Sequence, residues 1–269
     1  MTEKFIDDIR NGLDSGKVTS DKLFEEAVNK AYKYQDVYNS FVTIMDKKDE
    51  VCSNSILSGI PYALKDNIST KGILTTASSN ILKDYIPLYD ATIYKKLKNS
   101  GAVLMGKTVL DELAMGGTGT TGHTGIVRNP WNKDRMIGGS SAGSAASVAL
   151  GIVPFAIGSD TGDSIRKPAA YGGIVGYKPT YGRISRYGLF SFASSLDHVG
   201  VFARSVKYVS YVMDVVIGND DKDMTSLPDE DVSYASELDN DVSGKNLYNF
   251  KEAIERENGN NELLDIISN

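Results

Sequence analysis

Two turns rich in glycine and hydroxyl residues, joined by an apolar stretch, constrain this chain more than any other feature. The first reads Gly138-Gly139-Ser140-Ser141-Ala142-Gly143-Ser144 and the second Gly158-Ser159-Asp160-Thr161-Gly162-Asp163-Ser164-Ile165-Arg166-Lys167-Pro168. Small residues in such turns let the backbone bend sharply, approach a ligand closely and aim several N–H groups at one point. A loop of this kind can stabilise an oxyanion. Between the turns, Ala145 to Ile157 is the longest apolar stretch; it contains Pro154 and is too short to span a bilayer.

The rest of the sequence limits what those turns can serve. A chain of 269 residues, 41% of them hydrophobic, can bury one large core or two modest ones. A net charge of −6 argues against a free-standing nucleic-acid binder, which needs a basic face. One cysteine, Cys52, excludes an internal disulfide framework and, with only two histidines, makes a structural zinc site improbable. Met1 to Arg10 mixes acids and bases without an apolar core, unlike a secretory signal. These features predict a cytoplasmic protein with no membrane contact and no metal.

Hydrophobic periodicity predicts alternating helices and strands. Asp21 to Tyr34 places Leu23, Ala27, Ala31 and Tyr34 on one helical face, with Ser20 as N-cap. Phe41–Met45 and Ile60–Leu64 read as strands. Asp90 is placed to cap a helix carrying Ile93 and Leu97, which Gly101 ends before a strand at Ala102–Met105. Ser141–Leu150 reads as a small-residue helix, Phe155–Gly158 as a strand, and Ser205 as the cap of a helix bearing Val206, Val209, Val212, Met213 and Val216. The order implies an α/β fold with a mixed sheet covered by helices. From about Asn219 the acids Asp220, Asp221, Asp223, Asp229, Glu230 and Asp231 predict a solvated connector. Phe250–Ile267 shows weak helical periodicity.

Chemistry narrows next to the available bases. A Ser-His-Asp arrangement needs a histidine, and both His123 and His198 read better as structural or surface residues. Lys65 ends the apolar run Ile60-Pro61-Tyr62-Ala63-Leu64, where desolvation disfavours its charge. From an ordinary pKa of about 10.4, a base role needs a downward shift of roughly three units, within the range of buried lysines. On spacing alone, a lysine at a strand end is usually just solvated. Ser141 and Ser144 read as packing or capping residues, Ser159 as a turn former, Trp131 and Tyr181 as packing residues beside the site, and Cys52 as an inert thiol.

A lysine at a strand end, then the two turns, in this order and spacing, resemble the amidase signature family, with Ala142 and Asp163 standing where the family has glycine. The similarity continues through Asp90-Ala91-Thr92, Gly101-Ala102-Val103, Gly106-Lys107-Thr108, Arg128-Asn129-Pro130-Trp131 and the run from Gly176 to Arg183, as far as about Pro228. Lys178 to Leu189 and Phe192 to Asp197 are similar to the A-type, glutamine-hydrolysing subunits of tRNA-dependent amidotransferases. The resemblance implies Ser164 as nucleophile, Ser140 as the bridging serine and Lys65 as terminal base. It implies an oxyanion site at the backbone of Thr161, Gly162, Asp163 and Ser164, with Asp160 and Arg166 supporting the loop.

The same resemblance implies glutamine as substrate and other amidotransferase subunits, of B and C type, as partners. It implies no cofactor in this chain, ATP and Mg²⁺ for the partner's reaction, and tRNA contact mainly through that partner. Family members are longer, so it also implies a single partial domain over 1–269, incomplete at the C-terminus: an N-terminal helical segment (1–50), a catalytic core (51–218), and an acidic loop with a C-terminal segment (219–269). Two other functions fit the residues: a stand-alone amidase, or a catalytically weakened or silent fragment that only binds partners. Asp163 bears on the last. A carboxylate about 5 Å from an oxyanion opposes it by roughly 3 kcal/mol at an effective dielectric of about 20, unless it faces solvent or pairs with Arg166 or Lys167.

Overall fold

Side-chain alternation along the strand at 61–65 sets the layering of the molecule. Tyr62 and Leu64 enter one apolar cluster and Ala63 the other. This is the period-two signature of a strand covered on both faces. The structure is a computed structural model that describes residues 6–51, 53–228 and 232–246. Strands β1 (Phe41–Ile44), β2 (Pro61–Lys65), β3 (Val103–Thr108), β4 (Phe155–Asp160), β5 (Val175–Tyr177) and β6 (His198–Ala203) form one mixed sheet, ordered β1-β3-β2-β4-β6-β5. β2 runs parallel to both β3 and β4, whereas the β1–β3, β4–β6 and β5–β6 pairs are antiparallel. Helices α1 (Ile6–Asp14), α3 (Thr92–Asn99) and α6 (Val206–Val216), with Leu23, supply one cluster; the rest of α2 (Ser20–Tyr38), with α4 (Ala142–Ala149) and α5 (Arg166–Gly172), supplies the other. The expected mixed α/β sheet covered by helices is what forms.

Several local expectations need correction. The cap of α2 is Thr19, whose hydroxyl accepts from Lys22 N–H at 3.2 Å, and the helix continues to Tyr38 before Asn39 stops it in the left-handed region at φ 49°. Asp90 does not cap α3. Its carboxylate accepts instead from Lys71 N–H at 2.6 Å, and the extended residue before the helix is Ala91. Gly101 does end α3, at φ +78°, with the Ala102 N–H on the Leu97 carbonyl. Ser205 caps α6 by accepting from Tyr208 N–H.

The acidic stretch is not simply solvated. Asp220 accepts from the hydroxyls of Thr92 and Ser185, both at 2.5 Å, and Asp223 is buried against Arg186 at 3.1 Å. Facing hydroxyls and a guanidinium turn these two acids inward, which charge counting along the sequence cannot reveal. Asp229, Glu230 and Asp231, the 250–267 segment and Cys52 lie outside the described residues.

Contacts divide the chain into Met1–Ala235 and Ser236–Asn269. The described part of the second unit, 236–246, is a series of turns with Asn240 bonded to Glu237 and Ser243 to Asp241. No helix among the described residues is long and apolar enough to cross a membrane.

Candidate functional site

β2 and β4 are parallel neighbours, and their carboxyl ends deliver Lys65 and Asp160 to the same edge of the sheet. In sheets of this type, ligands collect at the carboxyl ends of parallel strands. The first glycine turn crosses this edge. Gly138 takes φ +81°, the Gly139–Ser140 peptide is cis, and α4 then begins with its backbone against the Ser40 and Val109 backbones, an approach that a Cβ at Gly143 would block. Packing therefore requires glycine itself at position 143.

Lys65 is fully buried, and its Nζ lies 2.7 Å from Ser140 Oγ, 2.8 Å from Ser159 Oγ and 3.3 Å from the Ser159 carbonyl. Burial lowers its pKa to about 7; the charges of Asp111, Asp160 and Asp197 offset part of that effect. A neutral lysine has two N–H bonds and one lone pair. Ser159 offers two acceptors for the N–H bonds, which leaves the lone pair for the hydroxyl proton of Ser140. Ser159 is thus a strand residue of β4 bonded to Lys65, not the turn former expected. Asn67 steadies it by donating Nδ2–H to Ser159 Oγ at 3.1 Å.

The second turn folds back over this pair. Ser141 N–H donates to the Ser164 carbonyl at 3.2 Å, holding Ser164 beside the first turn. Ser164 keeps 6% exposure while Ser140 and Lys65 have none, so of the three only Ser164 reaches the surface. Ser164 is joined to the first turn through backbone, and the side-chain contact is made between Ser140 and Lys65. Asp160 Oδ2 accepts from Ile165 N–H at 2.9 Å and Arg166 Nε at 3.2 Å, and Oδ1 accepts from the same guanidinium at 3.0 Å. Burial pushes the Asp160 pKa up, but Arg166 and these amides outweigh it and hold the carboxyl below its ordinary value. Arg166 also donates to the Gly162 carbonyl. Thr161 Oγ1 donates to Asp197, which also accepts from Ser191, Phe192 and Ala193.

Asp163 does not stand as a bare charge in this loop. Its carboxylate pairs with Lys167 at 2.6 Å, and Arg166 is occupied by Asp160.

Sequence reasoning missed Asp111. This fully buried carboxylate accepts backbone N–H groups of Thr118, Gly119, Thr120 and Thr121 and the Thr121 hydroxyl, while its own N–H donates to the Ser140 carbonyl at 3.1 Å. The available signal was an aspartate followed by Gly116-Gly117-Thr118-Gly119-Thr120-Thr121-Gly122, a run of donors for one anion. Lys107 was also passed over. It is buried 3.4 Å from buried Asp66 and donates to the Ile68 carbonyl and Thr75, bracing the segment that leaves β2. Ser141 and Ser144 do pack as expected, bonding the β4 carbonyls of Ser159 and Ile157. Trp131 is the exception among the packing residues: 73% exposed, it is fixed by Nε1–H on the Gly172 carbonyl. Tyr181 lies against Arg186 and His198, and His198 Nδ1 contacts the Leu196 carbonyl.

The A-type subunit of glutamyl-tRNA(Gln) amidotransferase from Streptococcus pneumoniae is 44% identical over 264 residues, covering 94% of this chain and 54% of the relative. Its counterpart in Lactobacillus delbrueckii subsp. bulgaricus is 47% identical over 242 residues, or 89% and 50%. Among solved structures, the A-type subunit of the same amidotransferase from Thermotoga maritima superposes with a TM-score of 0.80 at 42% identity, over 84% of this chain and 49% of that one. The peptide amidase of Stenotrophomonas maltophilia gives 0.83 at 30%, over 88% and 53%. The chain thus spans about half the length of the relatives it matches. The amidase family profile matches residues 22–253, and with the sheet edge, the two turns and the buried lysine all in place, this chain belongs to the amidase family.

Proposed function

We propose that this chain carries the nucleophile and base of a glutamine-hydrolysing A-type subunit of Glu-tRNA(Gln) amidotransferase. The observation that carries the reading is the sealed Lys65 Nζ, 2.7 Å from Ser140 Oγ, with a pKa near 7. Ser164 attacks the side-chain amide carbon of glutamine while its proton passes to Ser140 and the Ser140 proton to Lys65. The N–H groups of Thr161, Gly162, Asp163 and Ser164 receive the developing oxyanion, where one lost donor typically costs about 3 kcal/mol. Asp160 and Arg166 hold that loop in shape.

Collapse of the tetrahedral species breaks the C–N bond, the relay runs backwards to protonate the departing ammonia, and water releases glutamate from Ser164. Ammonia is then consumed on partner subunits of B and C type in a cytoplasmic heterotrimer. ATP and Mg²⁺ serve the ligase step on the partner, which also makes the main tRNA contact. What supports the amidotransferase reading over a stand-alone amidase is the higher identity, 44–47% against 30% for the peptide amidase. The test is ammonia release from glutamine by the chain assembled with B- and C-type subunits. Turnover that Ser164→Ala abolishes is the expected result. Equal turnover in Ser164→Ala would overturn the assignment of the nucleophile.

A further inference from the structure

Asp163 stands inside the loop that is asked to accept negative charge, immediately before the nucleophile. An uncompensated carboxylate there would work against the oxyanion. Its partner Lys167 is more than a neighbour at i+4 on an exposed face. The Lys167 side chain runs from the first turn of α5 across the first glycine turn. A Cβ at Gly138 would sit 3.2 Å from Lys167 Cγ, and a Cβ at Gly117 would sit 2.8 Å from its Nζ. Two glycines on the opposite rim therefore leave the room that this side chain fills. Its ammonium is held at 2.6 Å from Asp163 Oδ2, with the lysine side chain 31% and the aspartate 46% exposed. The Lys167 N–H also donates to the Asp163 carbonyl at 2.8 Å, so the two residues are joined through both backbone and side chain. Arg166 makes its direct bonds to Asp160 and the Gly162 carbonyl, so it acts on Asp163 only as a nearby charge, and the direct pair is with Lys167.

We propose that Lys167 is a positioning residue that neutralises Asp163 and turns its carboxylate to the rim, keeping the Thr161–Ser164 loop receptive to an oxyanion. The inference rests on the serine-relay reading above. It makes positions 163 and 167 an interdependent pair: the acid is tolerated beside the nucleophile because the lysine is there, and the lysine matters to the reaction only while the acid is present.

The experiment is a double-mutant cycle on the full chain, read by the rate at which a fluorophosphonate modifies Ser164. In that reaction a bond forms between Ser164 Oγ and phosphorus, the P–F bond breaks, fluoride leaves, and the serine proton passes to Ser140 and on to Lys65. Negative charge builds on the phosphoryl oxygen in the five-coordinate transition state, which makes the rate sensitive to the oxyanion loop, and intact mass reports the adduct without any need for turnover. Lys167→Met keeps the stem that packs on Gly138 and removes only the charge. It should slow modification about tenfold to a hundredfold, the lower end reflecting screening of a half-exposed carboxylate. Lys167→Arg should stay within about threefold of the parent. Asp163→Gly combined with Lys167→Met should modify as fast as Asp163→Gly alone.

Lys167→Met within about twofold of the parent would overturn the proposal. So would an equal slowing by Lys167→Met in the Asp163→Gly background, which would make the lysine a structural element of α5. Because the double variant carries the same methionine, its recovery excludes misfolding as the cause of slowing in the single variant. Absence of modification in every version, Asp163→Gly included, would instead remove Ser164 as the nucleophile, and this proposal with it.

Discussion

Titration of Lys65 gives the sharpest test of the site. An ordinary lysine at 10.5 stays almost wholly protonated at neutral pH, whereas burial brings Lys65 to about 7. The difference of about 3.5 pH units corresponds to roughly 5 kcal/mol against the charged form. Only the neutral form can take the Ser140 proton, so the rate of Ser164 modification should rise tenfold per pH unit below about 7 and level off above it. The assay is fluorophosphonate labelling followed by mass spectrometry from about pH 5.5 to about 9.5. A unit slope that persists past about pH 9 would refute the argument, because it would mean that burial does not shift this lysine. Stability supplies a second reading of the same group. The folded pKa is depressed, so between about 7 and 10.5 the unfolded chain binds a proton that the folded chain does not, and stability rises with pH by up to about 1.4 kcal/mol per unit. Lys65→Met should remove that contribution. Urea denaturation of both proteins at about pH 6, 8 and 9.5 should show the variant's advantage greatest at the lowest pH and shrinking above about pH 7.

Three further substitutions probe the frame of the site. Gly139→Ala puts a Cβ onto Asp111 Oδ2 and within 2.9 Å of Gly119 N; it should destabilise by about 2 kcal/mol or more, and a urea midpoint equal to the parent's would contradict the packing. Asp111→Ala strips four backbone N–H groups and one hydroxyl of their acceptor. It should cost about 3 kcal/mol or more and raise amide hydrogen exchange at Thr118–Thr121, with unchanged protection as the refuting result. Lys107→Met leaves Asp66 buried without its countercharge, a loss of roughly 3–5 kcal/mol by chemical denaturation. Pairing Lys107→Met with Asp66→Leu should recover a good part of that loss, and no recovery would show that the charge pair is not what the site needs.

What the sequence determined by itself was local and periodic. The unbroken apolar run Ile60 to Leu64 marks a strand, the spacing of Leu23, Ala27 and Ala31 marks a helix, and Gly101 marks where α3 stops, because each depends on residues within a turn or two. The glycine-hydroxyl turns and the lysine at the strand end were legible for the same reason, and their order carried the family. Where local signals compete, the sequence misled: Ser20 and Asp90 are good capping residues, yet Thr19 caps α2 and Asp90 holds the Lys71 amide, since a carboxylate bonds whichever donor the fold brings to it. Tertiary structure alone decided the chemistry of charge. Burial of Lys65 between β2, β4 and the first turn lowers its pKa to about 7, Ser159, itself bonded by Asn67, contacts its Nζ, Asp111 gathers amides from a loop, and Lys167 pairs with Asp163. Each of these depends on which groups lose water together and which opposite charge stands within hydrogen-bonding reach, and those are properties of the folded arrangement that no spacing along the chain encodes.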